Sequence, residues 1–216
     1  MKKQIGLSLI EILVALAIGM LLLSAVLTFY VNNISSIKST LLMNTLSNET
    51  QTAVNLINKE IKRANFTADS LSAPPTAIIK LASGETNKGN CIIFSYHDKP
   101  YTISGTAPAL RASGFRLINN TNDIGIIQLR TSSSGACTDT LTSSNWEDLT
   151  DPKVVNIDST TFEYATSGTE KKSINLIYSA SLTNQKAETS TTKKIKINPT
   201  TLKIFVPNIQ TVTLEI

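Results

Sequence analysis

Gly6-Leu7-Ser8-Leu9-Ile10-Glu11-Ile12-Leu13-Val14-Ala15-Leu16 places one carboxylate near the start of a long apolar run, and the reading of that run decides the fold. From Leu7 to Val31 only Ser8, Glu11, Gly19, Ser24, Thr28 and Tyr30 interrupt it. About 25 residues rising 1.5 Å each make a helix of roughly 38 Å, enough to cross a bilayer. Lys2 and Lys3 stand ahead of it and hold the amino end on the cytoplasmic side by the positive-inside bias. An ordinary secretory signal carries its small-residue cleavage site after the apolar core. Here the small residue, Gly6, precedes the core, so cleavage at Gly6 leaves the anchor attached.

An isolated ionised Glu11 inside hydrocarbon costs several kcal/mol, so it is expected to be neutral, interfacial or paired. Cutting between Gly6 and Leu7 creates an α-amino group one helical turn from Glu11. That amine can pair with the carboxylate of its own chain or of a neighbour. In a stack of staggered helices the second pairing also sets the stagger, which makes assembly the reason for the charge.

Lys2-Lys3-Gln4-Ile5-Gly6, followed by Leu7-Ser8-Leu9-Ile10-Glu11 and the apolar run, resembles the class III signal of type IV pilins and type II secretion pseudopilins. The resemblance implies that a prepilin peptidase cuts after Gly6 and methylates the new amine of Leu7, and that Glu11 serves assembly. Leu7 stands where phenylalanine is the commoner residue of that family.

The formal charge is +4; losing Lys2 and Lys3 with the leader leaves +2, which is no nucleic-acid signature. Subtracting a helix of some 60 residues leaves about 150, enough for one domain. Cys91 and Cys137 are the two cysteines. Delivery of that domain to an oxidising compartment makes a disulfide between them the expected state, two separate buried thiols being the alternative. Neither a CxxC pair nor a Cys/His cluster is present, so no zinc site is expected.

Between Gly19 and Pro74 there is neither glycine nor proline, which allows one helix from residue 7 to about 66, roughly 90 Å long. Ile34, Ile37, Leu41, Leu46, Ala53, Ile57, Ile61 and Ala64 form a stripe expected to pack on a sheet, with Asn55, Asn58, Lys59 and Lys62 outside. Pro74 and Pro75 end the helical pattern in a linker. Strands are expected at 76–81, 91–96, 114–118, 124–130, 154–164, 174–182, 193–197 and 202–206, with a last one at 211–216. The fold class is therefore α+β: a long N-terminal helix, half transmembrane and half amphipathic, packed on a C-terminal antiparallel sheet. The expected divisions are a cleaved leader 1–6, a transmembrane assembly helix 7–31, an amphipathic half 32–66, a linker 67–75 and a periplasmic β-rich domain 76–216.

Glu60-Ile61-Lys62-Arg63-Ala64-Asn65-Phe66 is similar to the "EIRxAGF" pattern that closes the long helix of PilW-like minor pilins and J-type pseudopilins, and Asn145 to Pro152 followed by Val154 to Ile157 resembles the same group. This implies a minor pilin that primes or caps a filament used for twitching, adhesion or DNA uptake. A J-type pseudopilin of a type II secretion system and a DNA-binding or adhesive tip subunit are the alternatives. The partners so implied are major and minor pilins met through the N-terminal helix, the prepilin peptidase and the inner-membrane assembly platform. The implied location is the inner membrane by a single pass, then the pilus.

No enzyme, cofactor or metal is expected. The single histidine, His97, reads as a surface residue at a strand end. Residues 119–123 read as a solvated turn rather than a calcium loop. Lys171-Lys172 and Lys193-Lys194-x-Lys196 lack the interleaved aromatics that base stacking uses, and read as lysines guarding a strand edge. Trp146 reads as a core or domain-edge anchor, with a subunit interface as its other reading.

Overall fold

The computed structural model describes residues 8–66, 80–81, 88–97, 110–164, 173–183 and 195–207. The expected cleavage site at Gly6 and Leu7, the linker, Lys171, Lys172, Lys193, Lys194 and the strand at 211–216 lie outside these. Among the described residues one helix, α1 (Leu9–Arg63), precedes nine strands. Two compact units divide the chain, the first ending at Met43 and the second starting at Asn44.

In the first unit, α1 opens with the Ser8 carbonyl accepting the amides of Glu11 at 3.0 Å and Ile12 at 3.3 Å. The apolar side chains from Leu9 to Val31 are exposed. In the second unit, α1 buries Leu46, Thr50, Ala53, Val54, Ile57 and Ile61, and each large aliphatic among them contributes about 1.5–3 kcal/mol of burial. The expected stripe holds from Leu46 to Ala64, but Ile34, Ile37 and Leu41 are exposed. The reason is local, because the sheet-bearing unit starts only at Asn44. Thr50 joins the buried face because its hydroxyl donates to the Leu46 carbonyl at 2.8 Å and leaves its methyl for packing.

One sheet has the order β1-β3-β4-β5-β6, from β1 (Lys80–Leu81), β3 (Cys91–His97), β4 (Leu110–Asn119), β5 (Gly125–Arg130) and β6 (Trp146–Asp148). The other runs β2-β7-β8-β9, from β2 (Lys88–Gly89), β7 (Val155–Tyr164), β8 (Ser173–Leu182) and β9 (Lys196–Phe205). All pairings are antiparallel. The fold class is α+β, with the helix against two antiparallel sheets.

Two strands expected at 193–197 and 202–206 are one, β9, which runs through Pro199. Ile197 pairs with Ala180 and Thr200 with Tyr178, so three steps on β9 face two on β8 and the proline falls in a bulge. Proline is tolerated there because β9 is the outer strand among the described residues and a ladder donor is dispensable. The strand expected at 114–118 begins earlier, at Leu110, since Gly114 does not break it. A Cβ at Gly114 would lie 2.6 Å from the Ile92 carbonyl oxygen, so glycine is what lets β3 and β4 approach. β2 and β6 lie in stretches too short or too turn-rich to read as strands.

Candidate functional site

Around Glu11 the helix supplies its own polar accounting. Glu11 sits in the first turn of α1, where the helix dipole favours negative charge. The next charged residue is Lys38. Between them the hydroxyls of Ser24 and Thr28 donate to the carbonyls of Leu21 at 2.8 Å and Ser24 at 2.9 Å. Asn33 likewise donates to Phe29 at 2.9 Å. These groups need no outside partner, which suits a helix in hydrocarbon or among other helices. By length and composition α1 is able to cross a membrane.

The other end of α1 is fastened to β3. Glu60 accepts a hydrogen bond from the Tyr96 hydroxyl at 2.7 Å and pairs with Arg63 at 3.1 Å. Arg63 in turn stands 4.3 Å over the Tyr96 ring. Asn65 has φ 62° and donates its amide to the Ser95 carbonyl at 3.0 Å, and the His97 amide donates to Phe66 at 2.9 Å. The helix ends at Arg63, ahead of the expected 66, because Asn65 turns into the left-handed conformation that glycine and asparagine tolerate. Asn65 thus fills the glycine position of the helix-closing pattern with the other residue able to take that shape.

Burial and then the Glu60 hydrogen bond push the Tyr96 hydroxyl up to about 12. A raised folded-state value means stability that is fully present below pH 10, the ordinary tyrosine value, and lost as pH climbs toward 12. Burial raises Tyr164 as well. Tyr96→Phe is expected to lower the melting temperature at neutral pH, through the lost hydrogen bond, and to flatten its decline between pH 10 and 12. Thermal melts at several pH values check both signs.

A third cluster lies on one face of the first sheet. Cys91, Arg116, Gln128 and Asp148 stand abreast on β3, β4, β5 and β6. Arg116 is only 2 % exposed. Its Nε and Nη2 donate to Gln128 Oε1 at 3.0 and 2.7 Å, and Gln128 donates to Asp148 at 2.7 Å and to the Leu141 carbonyl at 3.1 Å. The remaining guanidinium donors reach the carbonyls of Cys137, Asp139 and Thr140. The guanidinium also lies 4.4 Å over the Trp146 ring.

The loop 131–145 closes over this row and is tied to it by the Cys91–Cys137 disulfide, with Cα atoms 5.9 Å apart. Trp146 is buried and donates to the Ala136 carbonyl at 3.2 Å, which makes it an anchor of this cluster rather than an exposed interface residue. Hydrogen bonds from Asn145 and the Ala136 amide hold the Asp139 carboxyl below its usual range. Burial pulls the Arg116 guanidinium below its ordinary pKa, and the charge of Asp139 offsets part of that.

Residues 119–123 close on themselves. Asn119 donates to Asp123 at 2.8 Å, while Asn120 Oδ1 accepts the amides of Asn122 and Ile124. No group of acidic, histidine or cysteine side chains suited to a metal occurs among the described residues. His97 ends β3 and is half-buried, and Lys196 lies exposed at the start of β9. Arg116, Gln128, Asp139 and Thr50 were not legible as structural residues. A charged residue between Phe115 and Leu117, in a strand whose partner starts at a cysteine, was the available signal for the first.

Two family models match the chain. One, described as "Prepilin peptidase-dependent protein B", covers residues 39–197. The other, described as "Prokaryotic N-terminal methylation motif", covers residues 1–27. No curated protein and no solved structure matches it. The first match spans most of the α+β unit and the second spans the charged and apolar start of the chain. A signal of the class III prepilin type on a pilin-like α+β body has one home: the chain belongs to the prepilin peptidase-dependent protein B family of type IV pilin-like proteins.

Proposed function

We propose that the protein is a minor type IV pilin that helps prime or cap a pilus. It is made with leader 1–6, cut between Gly6 and Leu7, methylated on the Leu7 amine and held in the inner membrane by residues 7–31. The domain from residue 76 onward faces the periplasm until the subunit enters the filament. Glu11 then meets the new amine of a neighbouring subunit and sets its axial position, while the apolar anchors pack together. Major and minor pilins, the assembly platform and the peptidase are its partners. The observation that carries the reading is one carboxylate, five residues after a glycine, in an otherwise uncharged exposed helix from Leu9 to Val31.

Replacing Gly6 by valine is expected to leave unprocessed chain, seen by intact mass; normal cleavage at the same bond would refute the leader. Glu11→Ala is expected to be cleaved normally and to enter filaments at a fraction of the wild-type level, measured in sheared pili. Deletion of the protein with assays of twitching and of protein secretion separates a pilus role from a secretion pseudopilus.

A further inference from the structure

The disulfide-closed loop shows an arrangement that its sulfurs alone do not require. Every loop carbonyl that Arg116 binds lies within three residues of Cys137, namely those of Cys137, Asp139 and Thr140. Arg116 is also the direct cross-strand partner of Cys91. One buried cation therefore fixes the loop backbone at one cysteine while standing beside the other, and none of those hydrogen bonds involves sulfur. The two cysteines differ in access. Cys91 is 1 % exposed within β3, whereas Cys137 on the loop is only half-buried.

We propose that Arg116 is the positioning residue for this disulfide, docking the reduced loop so that Cys137 lies over Cys91, and that oxidation enters through Cys137. The Cys137 thiol gives up its proton and its thiolate attacks one sulfur of a small or protein disulfide oxidant. That breaks the oxidant's S–S bond, forms a mixed disulfide on Cys137 and releases the first oxidant thiolate. The Cys91 thiolate then attacks the Cys137 sulfur and expels the second. Two protein thiols thus lose two protons and two electrons, and the oxidant leaves as two thiols. A guanidinium nearby favours the thiolate form. The other charged groups around it are Asp139 on the loop, Asp148 reached through Gln128, and Arg130, which lies near Asp139.

The test uses the full chain in detergent, reduced with dithiothreitol, desalted and exposed to oxidised glutathione, with products read by mass after alkylation. In Cys91→Ser, Cys137 is expected to take up glutathione at least about tenfold faster than Cys91 does in Cys137→Ser. With both cysteines present, Arg116→Met is expected to accumulate the glutathione adduct at Cys137 and to close at least about tenfold more slowly. The pH dependence of adduct formation should move to higher pH, and Arg116→Lys should restore part of both. Equal reactivity of the two single-cysteine chains overturns the entry through Cys137. Wild-type closure in Arg116→Met overturns the positioning role. If that variant does not fold, Arg116→Lys decides: slowed closure with an unchanged circular dichroism spectrum supports the role, and wild-type closure refutes it.

Discussion

Gly125→Ala is expected to destabilise the sheet-bearing unit by about 3 kcal/mol or more. Gly125 opens β5, and a Cβ there would fall 2.1 Å from the carbonyl oxygen of Ile157 on β7 and 3.1 Å from its carbon. Both obstacles are backbone, so no side-chain rotation relieves them. The Gly125 amide meanwhile donates to Asn156 Oδ1 at 2.7 Å, so moving the strand away sacrifices a hydrogen bond between the two sheets. Denaturant unfolding of the chain in detergent measures the loss. Gly19→Ala is the neutral control. Nothing lies within 4 Å of a Cβ at Gly19, which belongs to the other unit, so unfolding of the sheet-bearing unit is expected to stay unchanged.

Removing the disulfide is the second large effect. Cys91 and Cys137 are 46 residues apart in sequence, and closing a loop of that length restricts the unfolded chain by about 4 kcal/mol in the entropic account. The double replacement Cys91→Ser, Cys137→Ser is expected to lower the melting temperature by roughly 10 °C, at about 2–4 °C per kcal/mol for a unit of this size. The loop 131–145 keeps its other fastenings, Arg116 to three carbonyls and Trp146 to Ala136, so the variant should still fold. A shift of only a degree or two would mean that the unfolded chain is already restrained.

The helix was readable because nothing between Gly19 and Pro74 interrupts it, and the apolar positions from Leu46 to Ala64 kept helical spacing. Its end was not, since the left-handed turn at Asn65 depends on a strand 30 residues further on that accepts its amide. The merger of two expected strands into β9 escaped the sequence because Pro199 stops a central strand and not an outer one. Arg116 escaped it for a different reason. Two-residue alternation assigns a charged strand residue to solvent, and local sequence carries no sign that a distant loop will cover that face. At the amino end the case is reversed: charge, glycine and apolar run are contiguous, so the motif that the methylation-motif model matches over residues 1–27 was legible in one stretch.

Pro199 carries a consequence for unwanted strand-to-strand association. With no amide hydrogen at mid-strand, and Lys196 and Lys203 exposed to either side of it, β9 cannot template an unbroken ladder onto a stranger's backbone. Cross-β growth from this strand, the outer one among the described residues, is thereby interrupted at its middle.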